Sequence, residues 1–236
     1  MSHGEGDLLQ RKRQLTNVKS PSASDVELAF FGRIMASLSH ELQNVIATIN
    51  EFSGLMEDLI GATTEGSTLN QDRLQVLCRK INKHTLRGEM LIRRQNRFSH
   101  SMDPPRQARI DLNMMLADIC DLGSRFAALK RVRLERRFSG KETVMTVDPF
   151  AFQHAVFLCI DRAIDAATER RVVTVSLADD GSCYKVFIDS EDPVGEIPPA
   201  GEDGGVLHGT LAQLNATATL EGAAGRARIV IALPKR

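Results

Sequence analysis

Apolar residues recur along one early stretch of the chain, at Leu28, Phe31, Met35, Leu38, Leu42, Val45, Ile49, Phe52, Met56 and Leu59, with gaps that alternate three and four. That period is the apolar seam of a long helix, and a helix of this kind needs partners along its length. Ile34, Ile46 and Ile60 flank the seam, so the stripe is wider than one neighbouring helix covers. His40 falls on the opposite face, at the most solvent-facing place in the repeat. Glu41 sits beside it, and Asn44 lies one turn further along the same side. A helix whose register is fixed by its seam thus holds an imidazole in water, with a carboxylate and an amide close by.

The boundaries of this helix are marked locally. Ser24 followed by Glu27 forms a capping box, which predicts a start near Asp25, and Gly61, Thr63, Thr64, Gly66 and Ser67 predict a loop after Ile60. A second helix is predicted from about Asn70 to Phe98, with Leu74, Leu77, Ile81, Leu91 and Phe98 as its apolar marks and interruptions at His84 and Gly88. Two helices joined by a short loop make an antiparallel hairpin, and two hairpins make a four-helix bundle. The wide stripe therefore predicts a homodimer through residues 25 to 98. Arg87, Arg93, Arg94 and Arg97 read as a solvated face rather than a patch for an acidic partner. Residues 1–24, with the basic run Arg11, Lys12, Arg13 and the breakers Ser20, Pro21 and Ser22, read as a flexible arm.

Pro104 and Pro105 separate a helical unit, residues 25–103, from a second unit, residues 108–236, because tandem prolines stop a helix and stiffen a linker. Beyond them a helix is predicted from Asp111 to about Lys130, strands at Val132–Leu134 and Val144–Val147, and a buried helix opened by Pro149 and running from Ala151 to Ala167. Strand-like runs follow at Val172–Leu177, Tyr184–Ile188, Ala216–Leu220 and Arg228–Leu233, with a helix around Leu207–Leu214. The expected fold is a helical hairpin, forming a dimeric four-helix bundle, followed by an α/β sandwich with helices on one face of a mixed sheet.

At 236 residues there is room for two modest cores, and thirty basic against thirty acidic residues leave no global charge to draw nucleic acid or a membrane surface. No apolar run is long enough for a bilayer and no signal-peptide core opens the chain. Cys78, Cys120, Cys159 and Cys183 lack ligand spacing, which points to reduced, buried thiols and a cytoplasmic location.

The run Ser39, His40, Glu41, Leu42, Gln43, Asn44 resembles the phosphoacceptor box of the dimerisation-and-phosphotransfer domain of bacterial histidine kinases. The resemblance implies that His40 is phosphorylated, that Glu41 assists the transfer chemistry and that Asn44 supports loss of phosphate to water. The chemistry also stands without the family. An imidazole in water titrates near pH 6.5, so at neutral pH a ring nitrogen offers a lone pair, and phosphoryl transfer asks mainly for in-line positioning and charge stabilisation. Glu41 is the expected group to fix the tautomer and offset the positive ring. His84, on the apolar face, and His100 lack the acid-plus-amide neighbourhood and are expected to be structural.

The downstream element order resembles the ATP-binding domain of the same family, yet its nucleotide boxes do not match. In LCIDRAIDAA the asparagine positions of the family fall on Leu158 and Arg162; leucine cannot ligate a hard cation and arginine repels one. In DSEDPVGEIPP, Asp189 aligns with the aspartate that reads adenine, while Glu191 and Pro193 fall where glycines belong. Gly204, Gly205 and Gly209 lie where a phosphate-contacting lid would be. The combination resembles the histidine phosphotransferases, which keep a kinase-like architecture and relay phosphoryl groups between receiver domains. It implies no cofactor of the chain's own, weak or absent ATP binding, magnesium contributed by the partner, and response-regulator receivers as partners, with a hybrid histidine kinase as a further one. An ATP-dependent kinase with a divergent pocket, a receiver phosphatase and a non-catalytic docking protein are the alternatives.

Overall fold

The computed structural model describes residues 23–62, 70–104, 106–138, 142–197, 205–223 and 225–235. The N-terminal arm through Ser22, Thr63 to Ser67 of the expected loop, Pro105 and Gly204 lie outside the described residues. Helix α1 spans Ala23–Gly61 and helix α2 spans Gln71–His100. The chain is already helical at Ala23, so Ser24 and Glu27 sit within the first turns and do not mark where the helix begins. Glu27 serves a different end: it accepts a hydrogen bond from Gln213 at 3.4 Å and lies 3.8 Å from the Arg106 guanidinium. Helix α2 does begin at a cap, the Asn70 side chain accepting from the Arg73 amide at 3.0 Å.

The two helices pack along Leu38, Val45, Leu77, Leu91 and Phe98, which are buried, with Phe31, Met35 and Ile49 against them. The interruption at Gly88 is where α1 side chains pack against the bare α2 backbone: a Cβ there would lie 3.4 Å from a Val45 methyl and 3.9 Å from a Leu42 methyl. The seam departs from expectation at its start. Leu28 is 65% exposed, while Phe30 and Ile34, the latter expected only at the flank, are buried. The reason is that the first turns of α1 pack against the sandwich as well as against α2, which rotates the buried face.

The sandwich holds β1 (Ala108–Asp111), α3 (Leu112–Leu129), β2 (Arg133–Arg137), β3 (Val144–Val147), α4 (Pro149–Ala166), β4 (Val172–Asp179), β5 (Cys183–Ser190), α5 (Gly205–Gln213), β6 (Thr217–Ala223) and β7 (Arg226–Pro234). Five strands form one sheet in the order β2-β4-β5-β7-β6, with β2 and β4 parallel and the other pairs antiparallel. Strand β1, too short to give a period, was not expected; it pairs antiparallel with β3 in a separate two-stranded sheet. Asp111 caps α3 by accepting from the Asn113 amide at 2.9 Å, and Asp148 caps α4, whose first residue is Pro149, by accepting from the Ala151 amide at 3.0 Å. Gly205 and Gly209, expected in a lid, are part of α5.

Alternation along the strands decides what faces the helices. Val173 and Val175 of β4, Val186, Ile188 and Ser190 of β5, and Ala227, Ile229, Ile231 and Leu233 of β7 are buried. The other face carries an in-register polar row, Glu135, Thr174, Asp189, Arg228 and Glu221. Hairpin and sandwich share one continuous core. Phe30 of α1 lies among the rings of Phe98, Phe150, His154 and Phe157, stacked on His154 at a centroid distance of 4.4 Å. Cys120 and Cys159 are buried, and desolvation pushes both thiols up to about 12. Cys78 is exposed and Cys183 half-buried, contrary to the expectation of four buried thiols.

Candidate functional site

Helix α1 is clamped to the sandwich just before the phosphoacceptor-like box. Arg33 donates two hydrogen bonds to the Asp161 carboxylate of α4, at 2.7 and 2.9 Å, and its guanidinium lies 4.4 Å from the Phe126 ring centre. The Asp161 carboxylate raises the arginine's pKa further above its ordinary value, against the opposing effect of burial. One turn on, Arg125 of α3 donates to the Ser37 carbonyl at 2.9 Å. From α2, Arg97 holds Asp118 bidentately at 2.8 and 2.9 Å, while Arg94 bridges Asp118 and Asp121. The arginines expected to solvate α2 thus divide: Arg93 is exposed beside Glu89, whereas Arg94 and Arg97 join the hairpin to α3. Their acidic partner is their own chain.

His40 emerges from the helix immediately after this clamp and is exposed. Its Nδ1 lies 3.3 Å from the Asn44 side-chain amide. Glu41 is half-buried and turns to Arg87 of α2, at 3.4 Å, so the ring's neighbour is Asn44 and the carboxylate is held by a cation. This revises the expected division of roles. The Asn44 atom facing Nδ1 is the amide nitrogen, a donor, so Nδ1 accepts and the ring proton sits on the outward Nε2; a half-turn of the amide brings its carbonyl to Nδ1, moves the ring proton there and frees the Nε2 lone pair. Thr48 donates to the Asn44 backbone carbonyl at 2.8 Å, bracing the turn below. A cleft of about 760 Å³ opens beside this face, lined by Glu41 and Asn44 from α1, Lys83, Arg87 and Arg94 from α2, and Arg125 from α3, among others. His84 meets the Phe52 ring at 5.8 Å, and His100 pairs with Asp103 at 2.7 Å.

The positions aligned with a nucleotide site are arranged differently. Leu158 packs against the core from α4. One turn along, Arg162 reaches across to the loop after β5 and donates to the carbonyls of Gly195, at 3.4 Å, and Glu196. Glu191 accepts from the Val172 amide at 3.0 Å, and Asp192 accepts from the Thr168 amide and hydroxyl at 2.7 and 2.8 Å. Those two donors hold the Asp192 carboxyl below its usual range. Pro193 follows directly, with no amide proton to offer a ligand. Asp189 is not where the alignment placed it. It lies on the open face of the sheet, ion-paired with Arg228 at 2.5 Å, and the residue at the end of β5 that faces the helices is Ser190. A one-residue slip along a strand exchanges faces, so the carboxylate expected to read adenine is absent from the helical side.

Arg33, Lys83, Arg125 and Asp161 were not singled out from sequence. Each is one charged residue among many on a helix, and only the packing of α1 and α2 on α3 and α4 brings them together. Among the described residues there is no cluster of His, Cys, Asp and Glu able to hold a metal ion, and no helix is long and apolar enough to cross a membrane.

No family model matches the chain, and no curated protein matches it. Among solved structures, the catalytic domain of histidine kinase ThkA is similar at 13% identity and a TM-score of 0.49, over 55% of this chain and 95% of that one. The Acinetobacter baumannii histidine kinase AdeS is similar at 14% identity and a TM-score of 0.46, over 84% of this chain and 98% of that one. Histidine kinase ThkA in complex with response regulator protein TrrA is similar at 12% identity and a TM-score of 0.48, over 89% of this chain and 63% of that one.

Proposed function

We propose that this chain is a histidine phosphotransferase of two-component signalling, which relays phosphoryl groups to and from the aspartate of response-regulator receiver domains through His40. The observation that carries the reading is the exposed imidazole of His40, set on a helix that Arg33 and Arg125 clamp to the sandwich and oriented by Asn44. In the forward step the tautomer with its proton on Nδ1 presents the Nε2 lone pair, which attacks the phosphorus of the receiver's aspartyl phosphate. The N–P bond forms as the P–O bond to the carboxylate breaks, and the carboxylate leaves with that electron pair. No proton moves in the transfer itself; the Nδ1 proton stays on a ring that becomes positive, and the Asn44 amide, turned so that its carbonyl meets Nδ1, offsets that charge. The return step is the same sequence reversed. The receiver supplies the magnesium ion.

The loop stitched by Arg162, Glu191 and Asp192 supports relay rather than kinase chemistry, because the donors and acceptors that would face a nucleotide are used within the chain. A homodimer through the hairpin belongs to the same reading. Ile46, Leu55, Ile60, Val76, Leu86 and Met90 are more than two-fifths exposed on the single hairpin, and a second hairpin would cover such a surface. A hybrid histidine kinase would serve as the upstream donor.

Incubation with a phosphorylated receiver domain tests the proposal. Label is expected on this chain in a bond that is acid-labile and alkali-stable, as a phosphoramidate is, and His40→Ala is expected to abolish it. Transfer to the His40→Ala protein at the unaltered rate would turn the reading toward a docking protein.

A further inference from the structure

The joint between hairpin and sandwich is crossed by arginines that take hold of two kinds of group. Arg33 holds the Asp161 carboxylate, Arg97 holds Asp118, and Arg94 bridges Asp118 and Asp121. Arg125 of α3 reaches the backbone of α1 instead, donating to the Ser37 carbonyl at 2.9 Å, and among the described residues it forms no ion pair. A half-buried guanidinium on a neutral carbonyl holds two helices together less strongly than one on a carboxylate. What sets this carbonyl apart is its place. In a helix each amide bonds the carbonyl four residues earlier, so the Ser37 carbonyl is the acceptor for the Glu41 amide. That amide belongs to the planar peptide unit joining His40 to Glu41. A carbonyl oxygen has two lone pairs and takes both donors. Arg125 is thus one carbonyl away from the peptide unit of His40. A pair of side chains keeps its contact while both swing, whereas a bond to a backbone carbonyl fixes the rotation and height of the helix itself.

We propose that Arg125 is a positioning residue for phosphoryl transfer: by holding the Ser37 carbonyl it fixes the turn of α1 that carries His40, so that the sandwich sets the angle at which the imidazole meets the incoming phosphorus. This rests on the reading of His40 as the acceptor and deepens it. Phosphoryl transfer needs the attacking and leaving atoms in line, and a small displacement of the attacking group slows it steeply. Arg125 acts through the Ser37 carbonyl, not on the ring or on phosphorus. The sandwich takes part in the transfer as the rigid body against which the acceptor turn is held.

Three variants of the full chain test this. Arg125→Met keeps the stem and removes the donors, Arg125→Lys restores a cationic donor, and Arg97→Met takes an ion pair from the same joint without touching the α1 backbone. The first measurement needs no receiver: it follows the carbonyl carbon chemical shift of Ser37 and the hydrogen exchange of the Glu41 amide. Both are expected to change in Arg125→Met, to return toward wild type in Arg125→Lys and to hold in Arg97→Met. The second is transfer from a labelled receiver domain as its concentration is raised. The maximal rate is expected to fall about tenfold in Arg125→Met with the half-saturating concentration unchanged, to recover in Arg125→Lys, and to stay near wild type in Arg97→Met. An unaltered maximal rate in Arg125→Met would overturn the proposal. So would an equal fall in Arg97→Met, since a loosened joint would then be the cause. A change confined to the half-saturating concentration would overturn it too, making Arg125 a contact for the receiver. If Arg125→Met does not fold, failure of Arg125→Lys to outpace a folded Arg125→Gln in maximal rate does the same. Wild type that takes no label while its Ser37 carbonyl responds to Arg125→Met would remove the relay reading and the positioning role with it, whereas labelled wild type beside an equally fast Arg125→Met removes the positioning role alone.

Discussion

Two polar regions of this molecule dispose of their hydrogen-bonding groups in opposite ways. Around His40 the polar groups face outward: the imidazole is exposed, Asn44 attends it, and a charged cleft lies open at its side. Between α4 and the loop after β5 the polar groups face inward: Arg162 binds carbonyls of its own chain, Glu191 and Asp192 cap backbone amides, and Asp189 pairs with Arg228 behind the sheet. The difference separates a surface that is open to a partner from one that is closed on itself. Hydrogen-bonding capacity left unspent at a surface is open to an outside group, while capacity satisfied within the chain is not.

The largest effect is expected from breaking the joint that positions the open region. Phe30 is buried among four aromatic rings, so Phe30→Ala should cost about 3–5 kcal/mol in urea-monitored stability through lost contacts and the cavity left behind. It should also free the hairpin from the sandwich, seen as faster amide exchange in α4 and the start of α1.

His154 sharpens the same joint in the opposite sense. It is 1% exposed, stacked on Phe30, and both of its ring nitrogens are without hydrogen-bond partners. Burial lowers its pKa to about 4. Between that value and an unfolded value near 6.5 the unfolded chain binds the extra proton, so stability should be full above about pH 6.5 and fall as the pH drops toward 4. The whole window is on the order of 3 kcal/mol. His154→Phe should flatten that dependence and raise stability at neutral pH by about 1–3 kcal/mol, because it removes unsatisfied polar atoms while keeping an aromatic ring. A pH–stability profile unchanged by the substitution would contradict this account of the joint.

These residues also mark what sequence could and could not say. The hairpin was legible because a long seam with a three-four period has one reading, and His40 and Asn44 were legible because that seam fixes the opposite face. The sandwich strands were legible wherever Val, Ile and Leu alternate over several residues, as in β4, β5 and β7, whereas four-residue β1 shows too little of a period. The joint was not legible. Phe30, Ile34 and His154 look like flank or core residues until α4 is laid against α1, and Arg94 and Arg97 look solvated until Asp118 and Asp121 arrive beside them. Asp189 was misplaced for a related reason: alignment by motif tolerates a shift of one residue, and a strand does not.

A smaller effect is expected on assembly. Leu55 is 44% exposed on the hairpin, so Leu55→Glu should leave each chain folded while shifting a dimer toward the monomer mass in light scattering. The smallest change is expected from Arg162→Asn. It should release the loop after β5, visible as faster amide exchange at residues 194–197, yet leave no calorimetrically detectable affinity for magnesium-ATP, since Glu191 and Asp192 stay bound within the chain and Pro193 has no amide proton to offer.

The most direct test of the contrast between the open and the stitched region is to offer the purified protein two donors in parallel. Equal amounts receive either labelled magnesium-ATP or a receiver domain labelled on its aspartate, and the alkali-stable label on His40 is counted. The account predicts label from the receiver within minutes and none above background from ATP. Label arriving on His40 from ATP as fast as from the receiver would contradict it, and would make the chain a kinase with a divergent pocket.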